Sequence, residues 1–289
     1  MLFLQSVIDG LLLGGIYAVL AIGLTLVFGV IQIVNFAQGQ FIMIGMFTAY
    51  FMWQYFGLDP IFGSIASFGV AFLIGLIIHK TMIHRVLKAS ESTQIFLTVG
   101  LLIALENFAL LVFGSDYRSV HTPYEYLAIE VGSLFINVPY LIAFSVALLV
   151  GIILWGFLRY SWWGLAIRAI SQDGYAAKLM GIRVTSVYAY SFALGVALTA
   201  LGGAILLPFT PVSPTVGHHF LIMMFIVVVL GGLGNILGAV VGGLVVGVIQ
   251  ALSAAMLSIQ MQDLSLFILF IAILILRPEG ILSIGAKNT

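Results

Sequence analysis

Long uncharged apolar stretches dominate this sequence. From Val184 to Gln262 the chain contains no Asp, Glu, Lys or Arg, and a second such stretch covers 10–58. A helix needs about 20 apolar residues to cross the hydrocarbon core of a bilayer, so each stretch can hold more than one crossing. The pattern therefore predicts a polytopic membrane protein with one transmembrane domain over residues 1–289.

Polar and proline-containing breaks divide these stretches into individual segments. We expect an all-α transmembrane helical bundle of about nine spans, with broken or re-entrant segments among them. Because the seventh and ninth segments are short, the range runs from eight to ten. The expected spans are 10–30, 40–57, 61–79, 95–113, 139–158, 187–207, 217–232, 236–258 and 263–277.

Composition supports a membrane protein and excludes several other classes. The chain is 63% hydrophobic and 7% charged, whereas about 25% of the residues in a soluble domain are charged. A net charge of zero leaves no electrostatic footprint for binding nucleic acid. The absence of cysteine excludes disulfides, thiolate metal sites and cysteine nucleophiles. With Asp9 instead of a basic start, the first segment is interpreted as a retained span, not a cleaved signal.

The remaining charges sort by loop. Lys and Arg predominate in 80–91, in 159–183 and in the C-terminal tail, whereas acidic residues predominate in 114–138. Basic loops stay on the cytoplasmic side of a membrane. We therefore expect the loops 80–91 and 159–186 and the C-terminus in the cytoplasm, and 114–138 and the N-terminus outside.

The segment Asn35-Phe36-Ala37-Gln38-Gly39-Gln40 interrupts the first apolar stretch. Backbone that leaves a helix at membrane depth is tolerated where protein or a cavity satisfies it, and broken helices of this kind line substrate sites in transporters. A plain cytoplasmic turn is the alternative interpretation. The segment is therefore a candidate part of a substrate pathway.

Two further breaks lie in the second half of the chain. The segment 208–214 contains three prolines, which predicts a rigid extended connection on the outside, or alternatively a docking surface or gate. The segment 231–235 is rich in glycine, yet no GxxxxGK[ST] pattern occurs anywhere in the chain, which argues against a P-loop ATPase. Positions expected to break or closely pack helices here are Gly231, Gly232, Gly234, Asn235, Gly238 and Gly242.

Glu106, beside Asn107, lies well inside the fourth predicted span. An ionisable residue at this depth is a functional candidate by default. It could contact a substrate amine, relay a proton, or bond a neighbouring helix while protonated, and no basic partner is visible nearby. The histidine and serine spacings match no metal site or hydrolase, so we do not expect an enzyme.

The predicted inner loop 159–186 is the most informative polar segment. We expect Ser171 to cap a short helix over 175–180 that ends at Gly181. With Ala176 and Ala177 on one side, such a helix can fit into a groove of another protein. The alternative is an interfacial helix anchored by the Trp162-Trp163 pair.

Several segments together resemble the LivH-type permease subunits of branched-chain amino-acid ABC importers, over nearly the whole length. The family patterns are similar to Gly14–Gly29, to Asn35–Gln40 and to Leu230–Gly243, and the pattern R-P-x-G-I-L matches Arg277, Pro278, Gly280, Ile281 and Leu282. The inner-loop pattern falls on Arg168, Ala169, Asp173, Ala176, Ala177, Gly181 and Ile182.

The resemblance implies an importer in the inner (plasma) membrane of a prokaryote. Its other components would be two ABC ATPase subunits, a second, LivM-like permease subunit and an extracytoplasmic solute-binding protein. This chain would need no cofactor, because ATP with magnesium would bind the partner ATPases. The loop 159–186 would be the coupling helix, with contacts at Arg168, Asp173, Ala176, Ala177, Lys178 and Gly181. The substrate pathway would be lined near Tyr17, Asn35, Gln38, Gln40, Glu106 and Asn107.

Two departures from the family pattern leave the cargo open. Gln38 and Gln40 stand where the family has His and Glu, and Tyr175 replaces the Glu of the general permease loop pattern. Branched-chain amino acids are the first expectation, and urea, short amides or other amino acids are alternatives. A stand-alone urea or amide channel or carrier, with Glu106 as its proton site, is the rival from another class.

Overall fold

Nine apolar helices form most of the part of the chain that the computed structural model describes, namely residues 2–132, 134–258, 260–277 and 280–281. They are α1 (Leu2–Ile31), α2 (Gln38–Phe56), α3 (Pro60–Ile78), α5 (Glu91–Phe113), α6 (Val138–Tyr160), α9 (Val184–Leu206), α10 (Val216–Gly231), α11 (Ile236–Met256) and α12 (Met261–Leu276). A π-helical turn (His79–Ile83) and α4 (His84–Val86) continue α3, whereas α7 (Trp162–Gln172) and α8 (Gly174–Leu179) connect α6 to α9. The predicted helical membrane class is confirmed.

Among the described helices, six are long and apolar enough to cross a membrane by length and composition. They are α1, α3 with its continuation to Val86, α5, α6, α9 and α11. The helices α10 and α12 have 16 residues each, and α2 begins with the polar Gln38 and Gln40. Each predicted span corresponds to one helix, but a count of nine crossings stays a prediction.

Helices α1 and α9 occupy the centre of the bundle. Helix α1 packs along α11 and α9, and α9 also packs against α2 and α3. Most residues of the two central helices are buried, whereas α5 and α6 expose bulky apolar side chains such as Phe96, Phe108 and Leu148. An apolar surface of this kind is unfavourable in water but matches the hydrocarbon core of a bilayer.

Glycine lets α1 and α11 approach closely. A Cβ atom built on Gly14 would lie 2.7 Å from the carbonyl oxygen of Gly243, and one on Gly10 would lie 2.6 Å from Cα of Val248. Lipid tails are as apolar as the helices, so membrane helices associate through close backbone packing of small residues. The contact between α1 and α11 therefore depends on the absence of side chains at these positions.

A small β-hairpin departs from the predicted all-α fold. Strands β1 (Ala128–Val131) and β2 (Leu134–Asn137) pair antiparallel inside the segment that was expected to be a loop. Gln5 of α1 exchanges hydrogen bonds with the backbone of Phe135 in β2, at 2.6 Å to its oxygen and 3.0 Å from its nitrogen. Because this contact uses both polar atoms of the Gln5 amide and the Gln5–Asp9 bond of 3.0 Å uses one Asp9 oxygen, these residues are accommodated in α1, which begins at Leu2 and not near residue 10.

The segment between α5 and α6 also contacts other parts of the same end of the bundle. Arg118 and Val212 form an isolated antiparallel bridge, with N–O distances of 3.0 and 2.9 Å, which attaches the proline-rich segment 208–214. The Tyr124 hydroxyl donates to Asp59 Oδ1 at 2.9 Å, next to the start of α3. Burial, followed by the bond to Asp59, raises the pKa of Tyr124 well above its ordinary value. These contacts hold the connections together over one end of the helices.

The C-terminal family pattern is described at Arg277, Gly280 and Ile281, whereas Pro278 and Leu282 lie outside the described residues. The backbone nitrogen of Ile281 donates to the Leu230 oxygen at 2.8 Å. The described part of the tail therefore meets the end of α10.

Gly14→Ala tests the close contact of α1 with α11. The added methyl group would overlap the Gly243 carbonyl, and we expect a loss of roughly 1–3 kcal/mol in the free energy of unfolding. Gly69→Ala is the matched control, because no described heavy atom lies within 4 Å of a Cβ there and alanine favours a helix. Denaturant unfolding in detergent measures both variants, and equal stability of the two would contradict the packing argument.

Candidate functional site

A buried break separates α1 from α2. Helix α1 ends at Ile31, Gln32 adopts a left-handed conformation with φ of 59°, and α2 begins at Gln38. The side chains of Asn35, Gln38 and Gln40 are fully buried. The segment is therefore an irregular stretch of backbone whose polar side chains are enclosed by protein, and the alternative of a plain cytoplasmic turn stays open.

Side-chain amides hold this break against α9. Asn35 Nδ2 donates to Gln38 Oε1 at 2.8 Å, and Asn35 Oδ1 accepts from the Ala37 backbone at 3.2 Å. Gln38 Nε2 donates to Thr199 Oγ1 at 2.6 Å and to the Gly195 oxygen at 3.3 Å. Thr199 is a contributor that sequence reasoning missed, because a single Thr in an apolar helix has no distinguishing signal.

Gln40 differs from its neighbours. Neither its Oε1 nor its Nε2 has a hydrogen-bond partner among the described residues. A Cβ atom on Gly217 of α10 would lie 2.9 Å from Gln40 Oε1, so the amide is pressed against the first turn of that helix. An unpaired buried amide costs about 1–3 kcal/mol, so Gln40 is a buried polar group that the described helices leave unsatisfied.

Tyr17 pairs with a residue of α11. Its hydroxyl donates to Gln250 Oε1 at 2.7 Å, and both side chains are buried. The two residues are 233 positions apart in sequence, so no local pattern could indicate the pair. The bond connects α1 to α11 inside the apolar bundle.

Glu106 has a basic partner that the sequence did not reveal. Its Oε2 lies 2.6 Å from Nε2 of His218 at the start of α10. The adjacent Asn107 is exposed, and its Nδ2 donates to the Ile103 oxygen of its own helix at 2.8 Å. Glu106 therefore contacts α10, whereas Asn107 lies on the outer surface of α5.

The predicted pathway residues form separate sets. The break with Thr199, the Tyr17–Gln250 pair and the Glu106–His218 pair are not joined to one another by any hydrogen bond in the described part of the chain. Gln40 and Glu106 both lie against the start of α10. Gln40 is close to Gly217, and Glu106 bonds to the next residue, His218.

Arg168 anchors the predicted coupling loop to the end of α6. Its Nη1 donates to the Leu158 oxygen at 2.7 Å and its Nη2 to the Arg159 oxygen at 3.4 Å. These carbonyls belong to the last turn of α6, where a helix lacks internal donors and favours a cation. The guanidinium group therefore ties α7 to a membrane helix.

The expected cap at Ser171 is wrong. Ser171 lies within α7, where its hydroxyl donates to the Arg168 oxygen at 2.9 Å. The cap of α8 is Asp173, whose Oδ1 accepts from the backbone nitrogens of Tyr175 and Ala176 at 2.8 and 3.0 Å. An aspartate carboxylate also complements the positive end of the helix dipole, which favours this register.

Helix α8 turns an apolar tip away from the bundle. Tyr175, Leu179 and Met180 are 74%, 71% and 83% exposed. Ala177, expected on the docking side, is buried against its own chain, whereas Ala176 and Lys178 are exposed. Gly181 ends the segment with φ of 84°, a conformation that glycine adopts without strain. A partner would therefore meet the large side chains and not Ala177.

The glycine-rich junction forms a tight hairpin between α10 and α11. Gly232 and Gly234 take positive φ values of 97° and 83°, and Asn235 Oδ1 accepts from the Gly238 nitrogen at 3.1 Å. A Cβ on Gly242 would lie 2.6 Å from the Val227 oxygen, and Gly231 meets Gly238 at even closer range. The residues expected to break and pack helices lie where the two helices touch.

A helical membrane bundle that contains a buried break in a helix is an architecture typical of integral membrane transport proteins. The chain belongs to the family described as branched-chain amino acid transport system / permease component, whose pattern matches residues 6–276. It is therefore a permease subunit and not itself an enzyme.

Curated relatives cover nearly the full length of the chain. It is 34% identical to the high-affinity branched-chain amino acid transport system permease protein LivH of Salmonella typhimurium, over 97% of this chain and 95% of the relative. The LivH protein of Escherichia coli K12 is 33% identical with the same coverage. The permease protein BraD of Pseudomonas aeruginosa is 31% identical, again over 97% and 95%. No solved structure matches the chain.

Thr199→Val tests the attachment of the break to α9. Valine keeps the shape of threonine but leaves the Gln38 amide without its nearest acceptor, so we expect a loss of about 1–3 kcal/mol in the free energy of unfolding. Thr81→Val is the control, because its hydroxyl is exposed and bonds within its own turn; that change should stay within about 0.5 kcal/mol. A Thr199→Val protein as stable as the control would exclude the proposed attachment.

Proposed function

We propose that this chain is a transmembrane subunit of an ATP-driven ABC importer for branched-chain amino acids. The observation that carries the proposal is the similarity to LivH and BraD permeases over 97% of the chain. Two ATPase subunits would hydrolyse ATP with magnesium, an extracytoplasmic binding protein would deliver the cargo, and a related LivM-like permease would complete the membrane part.

The geometry of α8 supports energy coupling to a partner ATPase. Its exposed apolar tip, formed by Tyr175, Leu179 and Met180, suits a short helix that inserts into a groove of another protein. A push on α8 reaches the bundle in two ways, because α7 is bonded to α6 through Arg168 and α8 leads directly into α9.

Helix α9 connects this coupling segment to the substrate pathway. Its first turn follows α8, and Thr199 in its second half holds the break through Gln38. Movement of α9 would therefore loosen the contact that closes the break. Gln38 and Gln40 would then face the path with amide groups, which can bond the polar ends of an amino acid.

The proposed arrangement places the protein in a prokaryotic inner membrane with nine crossings. The loops 80–91 and 159–186 lie in the cytoplasm and 114–138 lies outside, as the distribution of basic residues favours. The N-terminus is then outside and the C-terminus inside. The hairpin β1–β2 and the proline-rich segment would cover the outer end, where a binding protein docks.

Reconstitution of the complete importer in liposomes tests the function. Leucine, isoleucine or valine uptake should require ATP, both ATPases and the binding protein, because the chain carries no ATPase motif of its own. Urea and short amides serve as competing cargoes. Urea flux through this chain alone, without ATP or the other subunits, would contradict the proposal and favour a stand-alone channel.

A matched pair of leucines tests the coupling surface in the same liposomes. Leu179 on α8 and Leu127 at the opposite end of the bundle are both exposed, at 71% and 55%. Leu179→Asp should lower the amount of ATPase subunit that binds the liposomes in the absence of binding protein at least tenfold, since a charge replaces an apolar anchor at the interface. Leu127→Asp should leave the bound amount unchanged, because no binding protein takes part in this measurement, and equal binding of the ATPases by the two variants would remove α8 from the coupling role.

A further inference from the structure

A cavity of about 280 Å³ lies beside the π-helical turn, away from the residues of the proposed pathway. The end of α3, the π-helical turn and the first two turns of α9 form its walls. Its lining residues are Leu76, His79, Lys80, His84, Thr185, Ser186, Ala189 and Tyr190. The polar side chains of this lining are either basic or carry a hydroxyl group.

His79 is the residue that the fold leaves unexplained. It is 1% exposed, yet neither Nδ1 nor Nε2 has a hydrogen-bond partner in the described part of the chain. Its nearest rings are those of Phe192 and His84, with centroids at 5.9 and 6.2 Å. A buried polar group without a partner is unfavourable, and π-helical turns are frequently found at functional sites.

The first turn of α9 provides the opposite wall. This helix has 23 residues, and within the described structure no side chain caps its N-terminus. Thr185 and Ser186 therefore present hydroxyl groups next to the positive end of a long helix dipole, where anions are stabilised. Lys80 adds a positive charge, and none of the described residues that line the cavity is an Asp or Glu.

We propose that this cavity binds a phosphate group, through the imidazole of His79, the hydroxyls of Thr185 and Ser186 and the ammonium group of Lys80, with the positive end of the α9 dipole favouring its charge. The group would come from inorganic phosphate or from the headgroup of an anionic phospholipid. The ligand would give His79 the hydrogen-bond partner that the protein does not provide. None of the residues that line this cavity belongs to the proposed substrate pathway or to the proposed ATPase contacts.

The location gives the site access to the coupling segment. Tyr190 lines the cavity, and its ring meets that of Trp163 in α7 edge-on, at 4.7 Å between centroids. A bound phosphate would bridge α3 and α9 and rest against the side chain that contacts α7. Occupation of the cavity would thereby stiffen the contact between α7 and α9, and an effect of this on coupling rests on the proposed role of α8.

The test uses two glutamate variants at the same helical position. Thr185→Glu places a carboxylate in the cavity, at the second residue of α9. Ser92→Glu places one at the second residue of α5, which also has 23 residues, and both original side chains are exposed. A glutamate in the first turn favours either helix, so both proteins should fold, whereas only the first repels a phosphate.

His79→Phe is the second variant. It keeps a ring of similar size and removes the unpaired nitrogens, so the free energy of unfolding should not fall. A merely structural histidine would leave phosphate binding unchanged after this substitution. If the His79→Phe protein loses phosphate binding but keeps its stability, His79 binds the phosphate and is not only a packing residue.

Two probes identify the source of the phosphate in the full-length chain. Calorimetry in phosphatidylcholine nanodiscs measures inorganic phosphate, and native mass spectrometry measures retained phosphatidylglycerol against phosphatidylcholine. We expect wild type and Ser92→Glu to bind one of these probes, and Thr185→Glu and His79→Phe to bind it at least about tenfold more weakly, or 1.4 kcal/mol. Absence of binding of either probe to wild type, or equal binding by all variants, would overturn the proposal.

Discussion

The fold depends on the need to satisfy polar backbone in an apolar surrounding. Between Ile31 and Gln38 the chain leaves the helix while Ile33, Asn35 and Ala37 are buried, where water cannot replace the lost hydrogen bonds. Asn35 Oδ1 accepts from the Ala37 nitrogen and Thr98 Oγ1 donates to the Val34 oxygen, while Gln38 links the Asn35 amide to Thr199 of α9. These bonds join the break and the start of α2 to α9, which is one of the two central helices of the bundle, and so fix their relative positions.

The same apolar surrounding leaves few strong contacts between the helices of this almost uncharged bundle. Within the described residues the ion pairs are limited to two that involve histidine, and helix contacts depend instead on glycine packing and on a few neutral hydrogen bonds. Such contacts are individually weak. In the proposed importer, force applied at α8 would be carried by the Arg168 anchor and by α9, and the contact of α9 with the break would be the point of release.

Much of the helical framework could be predicted because apolar runs and polar breaks are local signals. The partners of the polar side chains could not be predicted, since Thr199, Gln250 and His218 lie in distant helices without a distinguishing spacing. Ser171 and Asp173 are both good capping residues, and local preference alone cannot choose between them. The orientation of Ala177 depends on how α8 packs, and the hairpin at 128–137 depends on its contact with Gln5.

The central claim is that the break between α1 and α2 is closed at rest and opens when the partner ATPases act. The chain has no cysteine, so Ala37→Cys introduces a single reporter at a position that is fully buried in the break. In the reconstituted importer, a small thiol reagent should fail to modify this cysteine without ATP and should modify it during turnover with ATP and binding protein. Equal modification in the two conditions, or none during measured transport, would contradict the account.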